Sequence, residues 1–171
     1  APGPAVEKTA ERLARTALGL DRANSQAHAA PADVYLNRSQ YELALAEDDQ
    51  AIALNPNDAF SHAARGGVLV FAGNPEEAVK SFEIATRLNP TMDIVRQYPI
   101  GFAYYLVKRY DEAARIMELG VRENPTDYFN FACLAASYAQ LGRMDDAARA
   151  ASGTLHAWPF FHVQTFVSQF Q

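Results

Sequence analysis

The side chains best suited to bind a metal or attack a substrate are four histidines and one cysteine. A metal motif needs ligands on one helix face or one short loop. His28, His62, His156 and His162 instead stand far apart, on segments that read as different helices. They read as side chains packed between repeated elements. Cys133 has no His or Asp at the spacing of a nucleophile motif and reads as a small buried hydrophobe. Gly66-Gly67 is not followed by the Lys-Ser/Thr of a phosphate loop, and it lies inside a segment of helical period, so it reads as packing glycine. Glu47-Asp48-Asp49, Glu76-Glu77 and Asp145-Asp146 lack the spaced acidic loop that holds calcium and read as solvated faces or first turns of helices. We therefore expect no catalytic residue, no cofactor and no metal, and a protein that is not an enzyme.

The elements that carry these residues are set by composition and period. With 49% apolar residues in 171, the chain can bury a continuous core, so disorder is not expected. Its net charge of −5 and singly scattered basic residues give no stripe to neutralise a phosphate backbone, so nucleic acid is not an expected partner. A lone cysteine excludes an internal disulfide framework. The apolar runs around 68–72 and 100–107 are too short to span a membrane, and no direct membrane insertion is expected. The expected compartment is the cytoplasm, or the periplasm if a signal peptide was removed. The start, Ala1-Pro2-Gly3-Pro4, reads as a linker or a trimmed end.

Asn-Pro recurs at 55–56, 89–90 and 124–125, and Trp158-Pro159 continues the series at steps of 34, 35 and 34 residues. When each unit is numbered so that this proline is position 32, a recurring pattern of small residues at positions 8, 20 and 27 and aromatics at 11 and 24 can be tested, and most positions agree. The best-matched unit has Gly66, Ala78, Phe82, Ala85 and Pro90 in register, and the next has Gly101, Tyr104, Tyr110, Ala113 and Pro125. The last supplies Tyr138, Gly142, Ala147 and Pro159, and the first Tyr35, Tyr41, Ala44, Ala51 and Pro56. Upstream, Ala10, Ala14 and Ala17 match half a unit.

This pattern resembles the tetratricopeptide-repeat (TPR) family. The resemblance implies an all-α, right-handed superhelical solenoid of antiparallel helix pairs. It implies one domain, 1–171, divided into a half repeat at 5–22, repeats at 25–58, 59–93, 94–127 and 128–159, and a capping helix at 160–171. Helix-end signals agree: Gly73-Asn74-Pro75-Glu76-Glu77 offers a helix stop, an Asn N-cap, Pro at the first helical position and two carboxylates at the positive end of the helix dipole. Pro31 and Pro99 fall inside the first helices of their units, where an interior proline costs about 3 kcal/mol, so those helices should start late or kink. An extra residue before Ile94 adds to the irregularity expected near Pro99.

In the family, first-helix positions 2, 5, 9, 12 and 13 line a concave groove, and one subset uses Lys, Asn and Arg there to clamp a terminal carboxylate. That clamp is missing here. The groove positions are instead Phe60, Ala63, Gly67, Val70 and Phe71, then Val95, Tyr98, Phe102, Tyr105 and Leu106, then Phe129, Ala132 and Ala136. Such a surface suits a protein or peptide with apolar anchors. A second docking surface is expected where Phe160, Val163, Phe166, Val167 and Phe170 recur at helical spacing, and this end could also support a homodimer. The function implied is a non-catalytic protein–protein interaction scaffold. Short segments such as Gly101-Phe102-Ala103-Tyr104-Tyr105 also resemble the C-terminal repeat regions of bacterial class III adenylate/guanylate cyclases and related signalling regulators. That implies an alternative, a regulatory or dimerisation region of a larger signalling enzyme such as a nucleotide cyclase; a second alternative is an assembly factor for an envelope or membrane complex.

Overall fold

The computed structural model describes residues 24–90 and 97–164, with the isolated helical positions Thr9, Arg12, Leu13, Thr16 and Gly19 before them; the side chains of Gln26, Gln97 and Tyr98 lie outside the description. Among the described residues the regular structure is helical throughout. The expected half repeat at 5–22 and most of the capping helix at 160–171 fall outside the described residues.

The chain forms two compact units, Ala1–Met92 and Asp93–Gln171. In the first, a 3₁₀ turn, Ser25–His28, leads into α1 (Ala29–Asn37), followed by α2 (Tyr41–Leu54), α3 (Ala59–Phe71) and α4 (Pro75–Leu88). The second holds α5 (Gln97–Leu106), α6 (Tyr110–Glu123), α7 (Tyr128–Gln140) and α8 (Met144–Ala157). Within each unit every helix packs on the next one in sequence.

Both prolines are accommodated at helix starts. Pro31 is the third residue of α1, after the 3₁₀ turn, and Pro99 the third of α5 as described. At these positions the lost donor is one that a first turn has little use for.

The turn inside each pair is built the same way four times. Position 15 is left-handed in all of them: Ser39 at φ 55°, Gly73 at 78°, Lys108 at 63° and Gly142 at 73°. The next residue's N–H reaches back to the carbonyl of position 11, as in Gln40 to Tyr35, Asn74 to Leu69, Arg109 to Tyr104 and Arg143 to Tyr138, each 2.9 Å. This is the Schellman arrangement, and it uses residue 16 both to end one helix and to begin the next. The side chain at position 16 makes no N-cap bond in any of the four. The Asn N-cap expected at Asn74 is accordingly not formed, because its backbone is committed to the turn; its amide instead donates to the Ala72 carbonyl at 3.3 Å.

Helix ends at the proline signal have one cause. A residue before proline is driven out of the helical region, and Asn55, Asn89, Asn124 and Trp158 all take ψ between 86° and 95°. Asn55 and Asn124 then accept from the N–H two residues on, at 3.3 Å, and Asp58 and Asp127 cap α3 and α7 by accepting from the N–H of Phe60 and Phe129.

The core of the two middle pairs is small against large. Alanine at position 20 is buried in every repeat: Ala44, Ala78, Ala113 and Ala147. At position 8, Gly66 lies under the ring of Phe82, so that an added Cβ would come within 2.7 Å of it, and Gly101 lies under Met117, where the same atom would come within 2.6 Å. Phe82 and Met117, both at position 24, are almost completely buried. Fully burying such a side chain is worth about 1.5–3 kcal/mol, which makes this pair of positions a main anchor of helix on helix.

Candidate functional site

The last repeat breaks this pairing. Its positions 8 and 24 are Ala135 on α7 and Ala151 on α8, two methyl groups where the two preceding repeats set a ring or a thioether against glycine and the first repeat has buried Ala32 and Asp48. The space is not closed by collapse of the helices. Ala135 remains half-buried and Ala151 exposed, and both line a cavity of about 660 Å³ that lies wholly within the second unit. That volume is in the range of small-molecule and anchor-residue pockets.

Three sides of the cavity have distinct origins. The α5 wall is Phe102, Tyr105 and Leu106, with the Phe102 and Tyr105 rings stacked at 6.3 Å and 8° between planes, and Tyr110 set against Tyr105 at 5.5 Å. The floor is α7, through Ala132, Cys133, Ala135 and Ala136, met by Ala151, Thr154 and Leu155 of α8. Phe161 and Val163 close the third side. Phe161 is held there by the Trp158-Pro159 turn: its N–H donates to the Trp158 carbonyl at 3.0 Å, and the Tyr128, Trp158 and Phe161 rings pack with centroids 4.7–6.1 Å apart.

The polar side-chain groups among the described lining residues are two hydroxyls and one thiol. The Thr154 hydroxyl donates to the Ala150 carbonyl at 3.2 Å. The Tyr105 hydroxyl is pushed up in pKa, first by burial and then by Tyr110 and Cys133 beside it, against the opposing effect of the Gln140 amide. Burial, with a smaller contribution from the charge of Asp127, pushes the Cys133 thiol up to about 12, so it stays protonated and unreactive at neutral pH. The wall offers contact area, not a charge or a nucleophile.

Of the groove residues predicted from sequence, Phe102, Tyr105, Leu106, Ala132 and Ala136 line the cavity. Val163, predicted for a separate docking surface, belongs to the same cavity. Phe129 is half-buried against Tyr128, 5.2 Å between ring centres, and Phe160 is 77% exposed; neither is in the lining. In the first unit Ala63, Gly67 and Val70 are buried, Phe71 is half-buried and Phe60 exposed. Val95, Phe166, Val167 and Phe170 lie outside the described residues, as does the side chain of Tyr98.

Sequence reasoning missed Ala135, Ala151, Thr154, Leu155 and Phe161, and placed Cys133 in the core and not in a groove. The signal was available: position 24 of the last repeat is alanine where Phe82 and Met117 stand in the two before it. Of the histidines, His28 and His62 are buried and structural, whereas His156 and His162 are exposed and not packed between repeats as expected. His28 Nδ1 meets Glu47 Oε2 at 2.7 Å, and His62 Nε2 meets the Pro56 carbonyl at 2.9 Å. Among the described residues no group of His, Cys, Asp and Glu is placed to hold a metal, and no helix is long and apolar enough to cross a membrane.

No protein-family model matches the chain, and neither does any curated protein. Solved structures do. A crystal structure of MamA aligns with a TM-score of 0.69 at 17% identity, covering 85% of this chain and 85% of that one. YrrB, described as a TPR protein with an unusual peptide-binding site, aligns with a TM-score of 0.71 at 19% identity over 95% of this chain and 84% of its own. MamA from Desulfovibrio magneticus RS-1, from residue 41 to its end, gives 0.69 at 21% identity over 79% and 76%. At these identities the likeness is one of fold: the chain has the all-α tetratricopeptide-repeat architecture.

Proposed function

We propose that the chain is a non-catalytic interaction module that holds a polypeptide segment by its apolar side chains in the cavity of the second unit. The observation that carries this reading is the cavity itself. It has about 660 Å³ of space walled mainly by aromatic and aliphatic groups, with the Thr154 hydroxyl internally bonded. Exposed Leu106 and Leu155 extend the apolar surface beyond it. Surfaces of this kind take apolar anchors, and rigid aromatic walls supply contact area at low entropic cost. The fold shared with YrrB, itself described as peptide-binding, supports the same reading. It holds equally for a free-standing module and for a region of a larger signalling chain.

The test is selection of a random dodecapeptide library on the purified chain. Bound peptides should be enriched in Phe, Tyr, Leu and Met. Their binding should fall at least about tenfold in Leu106→Asp and Leu155→Asp, which place charges on an exposed rim and leave the core intact. A selection without enrichment, or binding indifferent to both charges, would remove the assignment.

A further inference from the structure

Resting on that reading, we infer that the partner's anchor is one large flexible or aromatic side chain, Phe or Met, seated between Ala135 and Ala151 to complete in trans the pairing that the chain completes by itself elsewhere.

The chain is its own template for this ligand. In the two preceding repeats, position 24 fills the space against position 8 with a phenyl ring, Phe82 on Gly66, or a thioether, Met117 on Gly101. The last repeat keeps the frame around that space. Ala147 at position 20 is buried as in the other repeats, Thr154 at position 27 is 3% exposed, and the Schellman turn at Gly142 is retained. Only the filling side chain is missing, and Ala151 lies open to solvent where Phe82 is sealed. A charged anchor would meet no countercharge, since the described lining residues carry no ionised side chain and only the hydroxyls of Thr154 and Tyr105 and the Cys133 thiol as polar groups. A β-branched side chain is shorter and stiffer than either native filler.

The chain differs from its template in one atom that matters. Position 8 is Ala135, not glycine, so a ring fixed on α8 in the manner of Phe82 would collide with its methyl group. A side chain arriving from another molecule is free to enter at a different angle.

The probe is a set of twelve-residue peptides in an Ala/Lys host, identical except for a central Phe, Met, Ala or Asp, titrated into the full chain with the alanine and threonine methyl groups observed by NMR. Phe and Met peptides should bind at least about tenfold more tightly than the Ala peptide and shift the Ala135, Ala151 and Thr154 methyl signals, while the Asp peptide does not bind. Ala135→Gly/Ala151→Phe, which rebuilds the Gly66–Phe82 pair, should raise Tm and weaken the Phe peptide at least tenfold. Ala151→Met, copied from Met117, gives the same loss if the double variant folds poorly. Should the Phe peptide bind wild type and both filled variants alike, the anchor sits elsewhere, and this inference fails while the interaction-module reading stands. Should no peptide bind a folded chain, both fall. Binding that appears only after residues 165–171 are removed identifies the chain's own end as the occupant. Concentration-dependent self-association lost in Phe160→Ser identifies a second copy. Either result overturns a foreign anchor.

Discussion

The repeat around Gly66 and the repeat around Ala135 share a frame and differ in what fills it. In the first, Phe82 lies against a bare backbone and is 1% exposed; in the second, two methyl groups face each other and a cavity remains. The difference teaches that in this fold an interior contact and a surface site are the same place with and without one side chain. Small residues on both sides do not draw the helices together, because their spacing is fixed by the buried alanine at position 20 and by the turn that joins them.

The comparison breaks hardest at Phe82. Phe82→Ala should cost about 3–5 kcal/mol in urea unfolding and open, in the first unit, a cavity like that of the second. A loss below 1 kcal/mol would mean that the helices close on the gap, and the cavity at Ala151 would then need another cause.

Gly66→Ala and Gly101→Ala sharpen the same point from the other side. Each added Cβ falls under 3.0 Å from its neighbour, but Phe82 is a rigid ring and Met117 a flexible chain. Overpacking costs about 1–3 kcal/mol, partly offset by alanine's better helix propensity of about 1 kcal/mol. Gly66→Ala should therefore be the more damaging of the two by thermal unfolding. Equal effects would show that the ring moves as freely as the thioether.

The turns supply a smaller contrast. Ser39 and Lys108 occupy the left-handed position that Gly73 and Gly142 occupy without strain. Ser39→Gly and Lys108→Gly should each add about 0.5–1 kcal/mol of stability, while Gly73→Ala and Gly142→Ala should each cost about 1 kcal/mol. All four can be read from denaturation midpoints.

The last expected effect is confined to alkaline pH. Burial raises Tyr138 from the ordinary 10.0 to about 12, helped by its hydrogen bond to Glu118 and by the charge of that carboxylate. Cys133 is raised from 9.0 to about 12. In both, the folded state holds the proton more tightly than the unfolded chain, so the stabilisation is complete below about pH 9 and is lost as pH climbs toward 12. Tyr138→Phe and Cys133→Ala should flatten that decline in chemical denaturation. A thiol reagent should label Cys133 at neutral pH only after unfolding.

Much of this architecture was legible because it is enforced locally. Asn-Pro at a step near 34 ends a helix whatever surrounds it, since proline excludes the helical conformation for the residue before it. Alanine at position 20 and glycine at positions 8 and 15 mark close approach and left-handed turns. The Asn74 cap was misread because the residue itself looked free, whereas its backbone is shared by two helices. The groove was read from first-helix positions alone, which reaches Phe102, Tyr105 and Leu106 but not the α8 side of the cavity, where Ala151, Thr154 and Leu155 meet it.

What the sequence by itself determined is the repeat: where helices stop and which positions are small. Those features follow from backbone sterics and side-chain size acting within a few residues. Only the tertiary structure decided that Ala135 and Ala151 face each other, that Val163 joins Tyr105 on one surface, and that the space between them stays open. An empty volume is a property of the neighbours that fail to fill it, and those neighbours lie tens of residues apart in the chain.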